Sequence, residues 1–195
     1  MKLAPKTIER YHEQAAYMNA DLLQMSISEI TPLHLSREWL RLLNSGGQTR
    51  KDKTPRPLSA KTVRNIAGIV SSAYTRGIKW GLIATNPVTN SEPPRVKKHL
   101  AIALTPEQQD LVVNSASGPW CMKAYLEVDA GGGFRRGELL ALRWANIVGA
   151  VAHITRSLTQ TRDGGLQFKD TKTKKPRVVV LPQAAMAALE FHRNQ

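Results

Sequence analysis

The stretch Gly131-Gly132-Gly133-Phe134-Arg135-Arg136-Gly137-Glu138-Leu139-Leu140-Ala141-Leu142-Arg143-Trp144 contains the residue types from which an anion site is built. Three glycines deliver a tight turn into two adjacent arginines, after which Glu138, Leu139, Leu140, Leu142 and Trp144 resume a helical apolar pattern. Glycine lets the backbone approach a ligand closely, N–H groups at a helix start point outward, and guanidinium offers a planar fork of donors. The chemistry suggested is the holding of a phosphate. A loop in front of a surface helix, its arginines solvated, would use the same residues. Gly132 and Gly137 have the glycine spacing of a nucleotide P-loop, but Glu138 and Leu139 stand where a lysine and a hydroxyl are required, which excludes it. A dinucleotide fingerprint would need glycine in place of Arg136 and a strand ahead of it, whereas the preceding residues read as a helix.

The composition narrows the partner. The 195-residue chain is 42% apolar, as expected of a folded protein, and carries a formal charge of +13, with the larger excess in residues 1–98. Such a balance favours a polyanion: nucleic acid first, an acidic membrane surface second. A ribosome-associated protein would have the same charge. The single cysteine, Cys121, excludes an internal disulfide, fits a reducing cytoplasm and reads as a small core residue. His12, His34, His99, His153 and His192 are too scattered for metal-ligand spacing, so neither metal nor cofactor is expected. No apolar run reaches membrane-spanning length and residues 1–25 lack the core of a signal peptide, so a soluble, cytoplasmic protein is expected.

The elements that must position the arginine turn can be taken in order. Pro5 to about Leu23 reads as one helix, with Ile8, Tyr11, Ala15 and Met18 at helical spacing. Thr31-Pro32 starts a second, carrying Leu33, Trp39, Leu40 and Leu43 and stopped by Gly46-Gly47. A basic, proline-bearing loop with Arg50, Lys51 and Lys53 follows; it is either a solvated connector or a segment drawn to a phosphate backbone. Ser59 caps a long helix through Trp80, with Val63, Ile66, Val70, Ala73 and Ile78 as apolar positions, Lys61, Arg64, Arg76 and Lys79 elsewhere on its surface, and Gly81 as its stop. Asn86-Pro87 opens a short turn, and residues 92–98 form a stiff basic linker, placing one domain over 1–91 and another over 99–195. Thr105-Pro106-Glu107-Gln108 is a capping box leading a helix with Leu111, Val112 and Ala116. A further helix over about 119–130 runs into the glycine turn. Three short strands are expected at 151–155, 166–168 and 177–181, the last two joined by a lysine-rich hairpin tip over 169–176, before a closing helix with Met186, Leu189 and Phe191. The fold class is mainly α with a small β component: a helical domain, then an α+β domain with a three-stranded antiparallel sheet.

Residues 133–144 resemble the first catalytic box of the tyrosine recombinases, the phage-integrase family, in which a Thr-Gly-Leu-Arg-type turn places an arginine and an acidic residue follows three positions later. Gly132 stands in the threonine place and Phe134 in the leucine place. Lys172-Thr173-Lys174-Lys175-Pro176-Arg177, followed by Val-Val-Val-Leu-Pro, is similar to the hairpin presenting that family's catalytic lysine, and the helix running to Trp80-Gly81-Leu82-Ile83-Ala84-Thr85-Asn86-Pro87 resembles the end of its helical core-binding domain. The resemblance implies that Arg135 clamps the scissile phosphate, that Glu138 orients that arginine or a neighbouring side chain, and that Lys172 protonates the leaving 5′-hydroxyl, with Lys174 the alternative because hairpin length shifts the register. It further implies double-stranded DNA as partner, contacted by Arg50, Lys51, Lys53, Lys61, Arg64, Arg76, Lys79, Arg136 and Lys174. A full-length parent would form a tetramer on two DNA sites in the nucleoid of a bacterial or phage-infected cell, and would cut and rejoin strands through a phosphotyrosine without metal or nucleotide. That chemistry also needs a second His/Lys-x-x-Arg box, a further His or Trp, and a tyrosine nucleophile. Here Gln195 stands where the second arginine would be, and Tyr11, Tyr17, Tyr74 and Tyr125 all precede Arg135 and read as packing residues. The expectation is therefore the core-binding and early catalytic part of a longer, mobile-element recombinase; the alternative is a stand-alone protein that occupies recombination sites without cleaving them.

Overall fold

The structure is a computed structural model and describes residues 3–47, 56–97, 100–116, 122–172 and 175–194. The chain divides into two compact units, Met1–Leu100 and Ala101–Gln195.

The first unit is helical: α1 (Pro5–Ala15), α2 (Ala20–Gln24), α3 (Pro32–Ser45), α4 (Ala60–Lys79) and a 3₁₀ turn over Pro87–Asn90. The longest helix begins and ends on local chemistry. The Ser59 hydroxyl accepts the Thr62 N–H at 3.1 Å, and Gly81 at φ 72° turns the chain out of α4. Its buried stripe of Val63, Ile66, Ala67 and Tyr74 meets Leu22, Leu35, Trp39, Leu42 and Val88 in one core. In α3 the buried apolar residues are Leu35, Trp39 and Leu42, which share a face, while Leu33 and Leu40 are exposed. The expected helix from Pro5 to Leu23 is two helices. Asn19 leaves helical geometry at ψ 135°, donates its N–H to the buried Glu38 carboxylate at 2.9 Å, and caps α2 by accepting the Asp21 N–H. Arg41 forks onto Glu38 at 2.8 and 2.7 Å and donates to the Tyr17 carbonyl, so α3 supplies the partners that the interrupted helix lacks. Ile8 and Tyr11 of α1 are exposed.

The second unit contains α5 (Pro106–Asn114), α6 (Met122–Gly132), α7 (Arg136–Leu139), a 3₁₀ turn (Trp144–Asn146), β1 (Ile147–Val148), β2 (Val151–Ile154), β3 (Arg156–Thr161), β4 (Gly165–Asp170), β5 (Arg177–Val180) and α8 (Gln183–Arg193). The Thr105–Gln108 capping box forms as expected. Val113 is the buried residue of α5, with Leu111 and Val112 exposed. Cys121 and the start of the helix expected at 119 lie outside the described residues. The helical pattern expected to run to Trp144 ends at Leu139, and Leu140 and Trp144 are exposed.

A three-stranded antiparallel sheet is present in the order β1-β2-β5, and β3 and β4 form a separate two-stranded ribbon. The membership corrects the sequence expectation. The strand at 165–170 pairs with β3 through the Asp163-Gly164 turn, not with β5, so the expected hairpin between β4 and β5 does not form: Lys169 and Asp170 belong to the ribbon, and Thr171 and Lys172 follow it on the way to the sheet. All of β4 is exposed, so no apolar face selects a distant partner and the adjacent turn decides the pairing. Val128, Phe134, Leu139, Ala152, Ile154, Leu181 and Ala185 form the core that joins α6, the glycine turn, the sheet and α8. Among the described residues no helix is long and apolar enough to cross a membrane.

Candidate phosphate-binding site

Gly133 ends α6. Its N–H closes on the Asp129 carbonyl at 2.9 Å and its φ of 55° is a left-handed conformation that favours glycine. The next side chain, Phe134, anchors in the core, and Arg135 therefore emerges outward with extended backbone (φ −77°, ψ 139°) immediately before α7. One turn later Glu138 reaches back. Its Oε2 accepts the Arg135 N–H at 3.2 Å and its Oε1 accepts from Arg135 Nη1 at 2.7 Å. Behind them, Gly137 lies so close to the ribbon that a Cβ there would stand 2.6 Å from the Leu158 carbonyl oxygen.

A third residue completes the cluster. Arg177, the first residue of β5, donates Nη1 to Glu138 Oε2 at 2.8 Å and approaches the Gly133 carbonyl at 3.5 Å. Glu138 is buried, with 1% of its side chain exposed, whereas Arg135 and Arg177 are 55% and 36% exposed. Burial alone would raise the Glu138 carboxyl. The hydrogen bonds from the Arg135 side chain and N–H, with the charges of Arg177 and Arg135, outweigh it and hold the carboxyl below the ordinary glutamate range. Two cations thus share one buried anion, and the excess positive charge faces solvent. Guanidinium has five N–H donors; Glu138 occupies one of those on Arg135, leaving others for an incoming anion.

Of the residues singled out from sequence, Arg135 and Glu138 are brought together. Lys172 is exposed beside buried Thr171, whose hydroxyl donates to the Lys175 carbonyl at 3.1 Å. Among the described residues no hydrogen bond or ion pair joins Lys172 to Arg135 or Glu138. Arg136 is exposed. Lys61, Arg64, Arg76 and Lys79 are exposed, and at about 100° per residue they fall on one face of α4, opposite its buried stripe. That helix contains no acidic residue, and Arg76 lies over the exposed Trp80 ring at 5.8 Å. Arg50, Lys51, Lys53 and Lys174 lie outside the described residues. Tyr74 is buried, its hydroxyl donating to the Ile27 carbonyl, which makes it a packing residue. Among the described residues no group of three His, Cys, Asp or Glu could hold a metal ion. Arg177 is the residue sequence reasoning missed as a member of the site. Its signal was an arginine opening a valine run, but its partner is 39 positions away.

A helical unit in one half of the chain and an α+β unit in the other are the fold found in solved integrases. No family model matches the sequence. Over 213 aligned residues the chain is 24% identical to the "Tyrosine recombinase XerC-like" protein of Caldanaerobacter subterraneus subsp. tengcongensis, the match covering 100% of this chain and 52% of that relative. The Tn1549 transposon integrase, solved in complex with a circular intermediate DNA, superposes with a TM-score of 0.76 at 18% identity, over 100% of this chain and 61% of that one. The lambda integrase dimer bound to a COC′ core site gives a TM-score of 0.64 at 17% identity, over 99% of this chain and 64% of that one. The lambda integrase tetramer bound to a Holliday junction gives 0.67 at 16%, over 99% and 52%. The chain is thus similar in fold to these integrases and similar in sequence, along its whole length, to the XerC-like recombinase. It spans about half the length of the curated relative it matches.

Proposed function

We propose that this chain is the core-binding and early catalytic portion of a site-specific DNA recombinase, residues 1–91 and 99–195 joined by the linker 92–98. The observation that carries the reading is the half-exposed Arg135 guanidinium held on the buried Glu138 carboxylate, in a chain of net charge +13. In strand cleavage a phosphodiester gains negative charge on its non-bridging oxygens, and a preorganised guanidinium stabilises that charge without reorganising. Arg135 is the clamp on the scissile phosphate, Glu138 fixes its direction, and Lys172, on the crossing between ribbon and sheet, donates the proton to the leaving 5′-hydroxyl. The basic face of α4, with Lys61, Arg64, Arg76 and Lys79, supplies backbone contacts to double-stranded DNA, joined by Arg136, Arg50, Lys51, Lys53 and Lys174. The recombinase that contains this sequence would attack through a tyrosine outside it and would work as a tetramer on two DNA sites.

The reading is tested in two parts. The 195-residue chain should bind duplex DNA with steep salt dependence, and binding of RNA in preference to duplex DNA would overturn it. In a recombinase carrying this sequence, Arg135→Ala should abolish strand cleavage while largely sparing binding. Equal loss of binding and cleavage would reduce Arg135 to one more phosphate contact.

A further inference from the structure

We propose that Arg177 is a positioning residue, holding the Glu138 carboxylate from the β5 side so that the carboxylate fixes the Arg135 guanidinium. The geometry supports this in three steps. First, each oxygen of Glu138 receives one guanidinium: Oε1 that of Arg135 at 2.7 Å and Oε2 that of Arg177 at 2.8 Å. Without Arg177, Oε2 keeps only the longer 3.2 Å contact from the Arg135 N–H, and the terminal carboxylate torsion, which is broad, is no longer pinned. Secondly, the element carrying Glu138 does not hold itself. α7 is four residues long, below the length at which a helix is stable on its own. Arg177 instead belongs to a sheet, where it pairs with buried Ile154 of β2. Thirdly, Arg177 also reaches the Gly133 carbonyl at 3.5 Å, so one side chain spans the turn before Arg135 and the carboxylate after it. The sheet, through Arg177, thus sets the direction of an arginine on the other side of the carboxylate. Only the final step, that the fixed guanidinium serves a phosphate, rests on the function proposed above.

The test is carried out on the 195-residue chain with arginine Nε–Hε signals as the readout and inorganic phosphate as the probe. In the unaltered chain Arg135 should give a dispersed signal, assigned by its disappearance in Arg135→Lys, that shifts on phosphate addition. Arg177→Ala should move that signal into the envelope of solvated arginines and weaken the phosphate response about tenfold, while the backbone signals of residues 122–194 persist. Arg177→Lys, which keeps a donor and the charge, should restore part of both. Should Arg177→Ala fail to fold, Arg177→Lys and Arg177→Gln decide by the same signal. An Arg135 signal unchanged in position in folded Arg177→Ala would overturn the proposal. An Arg135 signal that ignores phosphate in the unaltered chain would instead count against the phosphate reading, and its dependence on Arg177 would still decide the positioning role.

Discussion

Arg135 and Glu138 are joined twice, through the arginine's backbone N–H and through its guanidinium, each bond using a different oxygen of the same carboxylate. The two ends of the pair sit in unlike surroundings, one buried and the other more than half exposed. Removing the buried end should therefore cost more. Glu138→Ala removes three hydrogen bonds to the carboxylate, leaves two arginines without their anion, and is expected to destabilise the second unit by about 2–3 kcal/mol. Arg135→Ala leaves Glu138 paired with Arg177 and should cost about 1 kcal/mol. Urea-dependent hydrogen exchange over residues 122–194 measures both.

The depressed Glu138 carboxyl gives a pH dependence of definite sign. Between its folded and unfolded pKa values the unfolded chain binds more protons, so stability rises with pH in that window. The contribution is present in full above the unfolded value, about 4.3, and is lost as pH falls through the lower folded value. Thermal unfolding of the second unit should fall off below about pH 4.5, and Glu138→Gln should flatten that part of the profile.

The face of α4 makes a prediction about salt. Replacing Lys61, Arg64, Arg76 and Lys79 together with alanine should leave the helix folded, since all four are exposed. If each neutralises one phosphate, the slope of log K against log salt for duplex DNA should become shallower by roughly 3 to 4. An unchanged slope would place DNA on another surface.

In the first unit the indole N–H of buried Trp39 donates to the Ser91 hydroxyl at 2.9 Å, and Ser91 is itself fully buried. Ser91→Ala leaves the indole N–H without that partner and should cost about 1–3 kcal/mol. Trp39→Phe in the Ser91→Ala background should cost less than Trp39→Phe alone. A double-mutant cycle on chemical unfolding reads the coupling directly.

Gly137 tests how tightly α7 is braced. A methyl group there would stand 2.6 Å from both the Leu158 carbonyl oxygen and the Ser157 hydroxyl oxygen. Gly137→Ala should therefore displace α7 from β3 and cost about 1–3 kcal/mol. The change should also shift the Arg135 side-chain signals, because the turn and the helix move together.

What the sequence disclosed divides along the range of the interactions involved. The caps at Ser59 and Thr105, the stop at Gly81 and the Asp163-Gly164 turn are decided within four residues, and each was legible. So were the arginine turn and its glutamate, three positions apart. The break after α1 was not, because its partners Glu38 and Arg41 come from α3. The pairing of β5 with β2 was missed for the same reason: an exposed β4 gives no apolar alternation from which to reject the wrong neighbour. Arg177 could be read as part of a basic stretch, but not as a ligand of Glu138, because only the completed sheet brings the two together.

The sheet register has one more consequence. Ile154 at the end of β2 lies directly opposite Arg177 at the start of β5, so residues 155–176 leave the sheet and return to it at a single point. The base of this excursion is fixed, since Leu158 and Ser157 close against Gly137. Its outer end, by contrast, touches no register on which Arg177 depends. Chain closure grows costlier only slowly with length. Descendants of this sequence are thus free to lengthen, trim or redecorate the ribbon's far end, an appendage that can diversify while the arginine cluster at its root stays in place.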